Sequence, residues 1–294
     1  LSGEFTNKTF TITTPYITIS GDNTTIYNGK VTINNAAMGV ILSGIKINNT
    51  NTTIEVSLEN NADNTVIANN TVYMEKVSGT TNGIKNKASN VVISGNNVVV
   101  YGPCAGIDWA GDGIVKTIAI ATLGGDNVTI ANNTAKALQA PNSVVEMYGS
   151  IDAVELKGTN IRVENNNITA KAEGAGFVYA LNGLGMADVN ITNNTIEAYS
   201  ERYIVGIQIG SDFISGIDGA NVLIANNTII GNSKNLTVLA DNEAMAYGII
   251  SSTMGGNACK NTTIINNTID MNATVGYGLE LYGTQTTTVK NNTI

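Results

Sequence analysis

Polar and apolar positions along this chain repeat as one short phrase. It reads NVTIANNT from Asn127, NVLIANNT from Asn221 and NTTIINNT from Asn261. Weaker copies are NTVIANNT from Asn64, NVVISGNN from Asn90, NIRVENNN from Asn160, DVNITNNT from Asp188 and TTTVKNNT from Thr286. The shared form is polar-x-x-aliphatic-x-Asn-Asn-Thr-aliphatic. The aliphatic residue before the pair falls at Ile67, Ile93, Ile130, Val163, Ile191, Ile224, Ile264 and Val289, in steps of 26, 37, 33, 28, 33, 40 and 25 residues. A second phrase runs between the copies: NGIKN from Asn82, AGIDW from Ala105, AVELK from Ala153, AGFVY from Ala175, VGIQI from Val205, YGIIS from Tyr247 and YGLEL from Tyr277. Both phrases alternate apolar and polar residues and are rich in Val, Ile and Thr, the pattern of strands. No apolar stripe of helical period is sustained. Repeats of this length mark solenoids, propellers or arrays. Blades of a propeller need a steadier period, and leucine-rich repeats need a Leu pattern that is absent. Fixed strands joined by loops of variable length predict an all-β parallel β-helix of about ten coils.

In such a coil, equivalent residues stack into columns at roughly 4.8 Å spacing. The anchor residues predict an interior aliphatic column. The Asn pairs predict a structural ladder at a bend, formed from Asn69, Asn70, Asn96, Asn132, Asn133, Asn165, Asn166, Asn193, Asn194, Asn226, Asn227, Asn266, Asn267, Asn291 and Asn292. Asn tolerates the left-handed backbone such a bend needs, and its amide both donates and accepts. The pattern leaves open which member of each pair turns inward.

Composition fits thin aliphatic layers: 43% of the 294 residues are hydrophobic, 5% aromatic and 13% charged. The whole chain, 1–294, reads as one domain, with opening coils over 1–63 and regular ladder coils over 64–294. It opens abruptly on LSGEF and stops on NNTI inside the phrase, so the native protein is expected to continue past 294, into another coil or domain or by end-to-end self-association. The net charge of −8 with scattered basic residues argues against nucleic acid as a partner. No apolar run is long enough to span a membrane. Cys104 and Cys259 lie several coils apart and are expected as free thiols.

The NNT ladders and YGI strands resemble right-handed parallel β-helix repeat proteins of the pectate-lyase-like superfamily. The Asn/Thr-rich, Arg-poor wording is most similar to adhesin-like surface proteins of methanogenic archaea. The resemblance covers about Asn64 to Ile294, with YITISGDNTTIYNGKVTI from Tyr16 as opening coils. It implies an extracellular, cell-surface protein that touches a polysaccharide or a partner cell. The superfamily also holds polysaccharide lyases and hydrolases, which form the alternative. A structural filament, surface-layer or viral tail-spike component is a second alternative. The chain has no histidine, so the commonest general acid/base and metal ligand is missing, as is the Gly-His-Gly element of polygalacturonase-like hydrolases. Its two arginines, Arg162 and Arg202, have no carboxylate pair placed beside them by the sequence. A non-catalytic role follows as the expectation, with no cofactor.

The residue after Gly-aliphatic in the second phrase should point outward. That column is expected to read Lys85, Asp108, Glu155, Val178, Gln208, Ile250 and Glu280, with Trp109, Tyr148, Tyr179, Tyr203, Tyr247, Tyr277 and Tyr282 gathered around it. Rings beside acids and amides suit a sugar chain. The candidate glycan face is therefore Lys85, Asp108, Trp109, Glu155, Tyr179, Gln208, Tyr247, Tyr277, Glu280 and Tyr282. Asp108, Asp112 and Asp126 stand in or near a Gly-rich loop, too few ligands to assign calcium, and no metal is assigned. Asn-x-Ser/Thr sequons are dense. Those of the ladder phrase, Asn69, Asn132, Asn193, Asn226, Asn266 and Asn291, are expected to be packed and unmodified. Loop sequons at Asn7, Asn235 and Asn272 are the glycosylation candidates.

Overall fold

The computed structural model describes residues 1–50, 53–107, 114–143, 145–174, 176–212, 219–233, 244–254 and 259–294. Among these residues the regular elements are strands, and every strand pairing is parallel. The chain is a parallel β-helix. One turn shows its construction. Val128–Ala131 lies on a first face, Thr134–Gln139 on a second, and the opening half of Val145–Glu164 on a third. That last strand rounds a corner and ends on the first face of the next coil, with a register shift between Leu156 and Gly158.

The phrase now reads residue by residue. Asn127 turns the corner at φ 55°. Val128 and Ile130 point into the core, with Thr129 between them on the outside. Asn132 turns the next corner at φ 57°, and Asn133 points inward. Every first Asn of the pair has this left-handed φ: Asn69, Asn132, Asn165, Asn193, Asn226, Asn266 and Asn291 lie between 54° and 57°. In NVVISGNN the position is held by Gly95 at φ 65°, the other residue that adopts this conformation without strain. The corner therefore selects the first Asn for its backbone and the second for its amide.

The second amides form a chain, buried at Asn70, Asn96, Asn133, Asn166, Asn194, Asn227 and Asn267 and half-buried at Asn292. Asn133 Nδ2 donates to Asn166 Oδ1 at 3.0 Å and to the Ile93 carbonyl at 2.9 Å. Its Oδ1 accepts from the Asn96 backbone N–H at 2.9 Å and from Asn96 Nδ2 at 3.0 Å. The same pattern recurs coil after coil.

The anchor column is in register throughout, from Leu42 through Ile67, Ile93, Ile130, Val163, Ile191, Ile224 and Ile264 to Val289. All but the last are buried to 0% exposure, each burial being worth about 1.5–3 kcal/mol. On the third face a column of small residues, among them Gly83, Gly206 and Gly248, faces the interior. A Cβ on Gly206 would come within 2.4 Å of Ile229 Cγ2 and 2.6 Å of the Gly248 carbonyl oxygen. Gly206→Ala is expected to cost about 1–3 kcal/mol by overpacking. Gly174→Ala, where nothing lies within 4 Å, should be close to neutral in the same urea titration. Equal midpoints for the two variants would refute this reading of the column.

Cys104 and Cys259 are buried free thiols, and burial pushes both pKa values up. No helix among the described residues is long and apolar enough to cross a membrane.

Candidate functional site

The third face carries two outward columns. One runs Glu59, Lys85, Ala121, Glu155, Asn182, Gln208, Ile250 and Glu280. Lys85, Glu155, Gln208, Ile250 and Glu280 thus share a column, as the pattern suggests. Two positions differ. Val178 is fully buried in the core, and Asn182 holds the column position in its coil. The marker misled because the small residue before the interior aliphatic can be Ala as well as Gly: Ala180-Leu181, not Gly176-Phe177, is the equivalent of Gly83-Ile84. Between Lys85 and Glu155 the position is Ala121, on the strand Val115–Leu123. Asp108 and Trp109 lie outside the described residues, as do Asp112 and Asn235. The segment before them, Cys104–Ile107, pairs instead with the start of Val145–Glu164 as a side ribbon.

The second outward column runs Asn82, Ile118, Asp152, Tyr179, Val205, Tyr247 and Tyr277. Much of it is covered. Tyr179 is 4% exposed, Tyr247 7% and Val205 0%, forming an apolar cluster outside the core. Phe177, Tyr203, Met245 and Ile250 pack against it, half-buried. Its rings make a ladder along the axis. Phe177 and Tyr203 have centroids 4.9 Å apart, Tyr203 and Tyr247 5.5 Å, and Tyr247 and Tyr277 5.1 Å with ring planes 7° from parallel. The Arg202 guanidinium carbon lies 5.1 Å from the Phe177 ring centroid. Tyr277 and Tyr282 are exposed at 41% and 69%. Phe177 and Arg202 are absent from the sequence-derived face: Phe177 holds the position after Gly that the phrase reads as the interior aliphatic, and Arg202 lies outside the phrase.

Beside the ring ladder is a charged cluster that the pattern misses. Lys116 Nζ lies 2.6 Å from Glu155 Oε1 and 3.3 Å from Asp152 Oδ2, and Asn182 Nδ2 donates to the same Oδ2 at 3.1 Å. The Asp152 side chain has 0% exposure, while Lys116 keeps 26% and Glu155 19%. Among the described residues nothing hydrogen-bonds Asp152 Oδ1. Burial pushes the Asp152 pKa up to about 6, against the pull of the Lys116 charge. Burial also works against the Lys116 charge, but Asp152 and Glu155 outweigh it and raise its pKa, so Lys116 stays protonated. The available signal was SIDAVELK, where Asp152 stands three residues before Glu155 across two consecutive inward positions.

Earlier in the chain, Glu59 accepts from Lys30 at 2.5 Å and Lys87 at 2.7 Å. Burial works against its charge, but the two lysines bring its pKa down to about 2. Asp126 accepts from Thr159 Oγ1 at 2.7 Å. Among the described residues no group of three or more acids and cysteines is placed to hold a metal ion.

The family described as "Right handed beta helix region" matches residues 119–294, and the chain belongs to it. The fold is accordingly a right-handed parallel β-helix. No curated protein matches. Among solved structures the chain is similar to the A-module of Azotobacter vinelandii mannuronan C-5 epimerase AlgE6, at 13% identity over 100% of this chain and 91% of that one, with a TM-score of 0.43. It is similar to the AlgE4 A-module at 14% identity, covering 98% and 91%, with a TM-score of 0.42. It is also similar to the Dettilon tailspike protein (gp208) at 14% identity, covering 93% of this chain and 62% of that one, with a TM-score of 0.47.

Proposed function

We propose that this chain is an extracellular, cell-surface β-helix that grips a polysaccharide along its third face, without catalysis, in the manner of an adhesin. The observation that carries this reading is the ring ladder Phe177–Tyr203–Tyr247–Tyr277, flanked by Arg202 and Glu280, while Gln208 of the same face is buried at 7% exposure. A sugar presents C–H faces that stack on rings and hydroxyls that bond acids and amides. A ladder repeating with the coils offers such contacts over several sugar units, each weak, and display of many copies on a surface raises the avidity. The net charge of −8 disfavours polyuronates, so neutral polysaccharides are the expected class.

The test is binding of the whole chain to immobilised neutral and uronic polysaccharides. Tyr203→Ala with Tyr277→Ala should weaken attachment at least about tenfold, or roughly 1.4 kcal/mol. Tyr277→Ala alone should leave the melting temperature almost unchanged. Undiminished attachment by the double variant would remove the ring ladder from the contact.

A second reading, a polysaccharide-modifying enzyme, draws on Asp152, whose pKa of about 6 beside Lys116 suits proton transfer. Its complete burial argues for a structural part instead. New unsaturated or reducing ends on a polyuronate, lost in Asp152→Asn, would establish the enzyme.

A further inference from the structure

Two corners of the coil carry Asn-x-Thr sequons on their outer side, and the corners differ in what their amides do. At the corner between third and first faces, Asn127 begins the sequon NVT and Asn261 the sequon NTT. Both are exposed, but both amides are engaged. Asn127 Nδ2 donates to Asn90 Oδ1 at 2.8 Å, and Asn261 Nδ2 donates to Asn221 Oδ1 at 2.9 Å. At the corner between first and second faces, NNT begins at Asn69, Asn132, Asn193, Asn226, Asn266 and Asn291. The acceptor of each sequon is the first Asn, and all six are exposed. The packed amide belongs to the second Asn of each pair, so the expectation that packing blocks these sequons is corrected. Among the described hydrogen bonds none uses the side chain of Asn132, Asn193, Asn226 or Asn266.

From this the structure assigns the first-Asn corner as a row of N-glycan acceptor sites. The donor is an oligosaccharide linked through phosphate to a polyprenyl lipid. Asn132 Nδ2 forms a bond to the anomeric carbon, the carbon–oxygen bond to phosphate breaks, and the phosphate leaves with that electron pair. The amide nitrogen gives up one proton to the transferase or solvent. A transferase needs the sequon extended and free, whereas the folded coil fixes it around a left-handed turn. Transfer therefore precedes closure of the coil. The folded coil then tolerates the product, because Nδ2 faces water and displaces no partner. At Asn127 a glycan competes with the bonded amides of the adjoining coils, so chains modified there close poorly and are depleted from the folded, secreted material.

Spacing orders the sites. Asn69 and Asn132 are each separated from the next NNT sequon by an intervening coil, at Gly95 and at Asn165, where Asn167 replaces the Thr and itself opens the sequon NIT, stacked on Thr134. Asn193, Asn226, Asn266 and Asn291 follow on consecutive coils about 4.8 Å apart. Neighbouring glycans at that spacing crowd one another. Chains with glycans on adjoining coils therefore close poorly, so in the folded chain occupancy is highest at Asn69, then Asn132, and alternates along the last four. The row lies on the corner that the third face does not share, so a glycan ridge would leave the ring ladder uncovered.

The experiment is peptide mapping by mass spectrometry of the whole chain secreted from a host that performs N-glycosylation, with a sequon-bearing control protein co-expressed. The expected result is sugar on Asn69 and Asn132 and none on Asn127 or Asn261. Thr134→Ala should remove the sugar from Asn132 alone, with the melting temperature unchanged. Thr129→Ala, which destroys the sequon at Asn127, should leave the pattern as it was. Asn127 occupied as fully as Asn132 would overturn the assignment. So would sugar confined to Asn7 and Asn272, or a bare chain beside a modified control.

Discussion

Asn133→Ala should lower the stability of the folded chain by roughly 1–3 kcal/mol, the cost of one buried group left unpaired. That group is the Asn96 backbone N–H, which loses its acceptor, Asn133 Oδ1. The Ile93 carbonyl loses the Asn133 Nδ2 donor but stays in the parallel ladder with Val128–Ala131. Asn96 Nδ2 keeps its bond to the Ile67 carbonyl, and Asn166 Oδ1 keeps the Asn133 backbone N–H, so neither adds to the cost. Water cannot substitute, since Asn133 is 2% exposed. Thr129→Ala, on the outside of the same coil, should stay within about 0.5 kcal/mol. Asn132→Gly should also be nearly neutral, because Gly95 already fills the equivalent corner at φ 65°. Urea denaturation of the three variants separates the roles. Equal midpoints for Asn133→Ala and Thr129→Ala would remove the amide chain as a stabilising element.

The fold was legible because the repeated phrase encodes backbone and interior together. Two left-handed corners bracket two interior aliphatics in eight residues, and only a coil satisfies that geometry many times over. The direction of each Asn was not legible. Both members of the pair have the same chemistry, and only the copy with Gly95 hints that the first position is about φ. The candidate site was less legible, for a physical reason. Outward residues are not constrained by the core, so their identities follow no repeat. Lys116, Asp152 and Asn182 meet only because three coils stack them, across sequence separations of 30 residues or more. Asp152 also looks like a solvated acid in the sequence, and nothing in its own strand reveals that the structure buries it completely. Val178 follows a Gly marker that the column does not require, and it points into the core. The aromatics Tyr179 and Tyr247 read as exposed strand tyrosines, yet they pack into an apolar cluster of their own.

Asp152→Asn should change the pH dependence of stability in a defined direction. The folded-state pKa of Asp152 is about 6 against an ordinary value of 3.8, because burial outweighs the Lys116 charge. The native chain therefore holds this proton after the unfolded chain has released it. The contribution to stability is fullest below the unfolded pKa, falls as pH rises from about 4 to about 6, and stays low above that. Two pKa units correspond to about 3 kcal/mol. Asn cannot ionise, so the variant escapes the loss. Lys116 remains paired with Glu155 at 2.6 Å, which limits the harm of removing its second acid. Glu59 has the opposite sign: its pKa is held near 2, so it contributes stability above about pH 4.5 that is lost as acid protonates it. That contribution is common to wild type and variant and cancels in their difference. The stability of Asp152→Asn minus that of wild type should rise by about 2–3 kcal/mol between about pH 4 and about pH 7, then level off. Parallel curves in urea titrations across that range would mean that Asp152 is ionised as easily in the coil as in water. The cluster would then be an ordinary solvated ion pair, and the acid/base reading of the third face would lose its one distinctive residue.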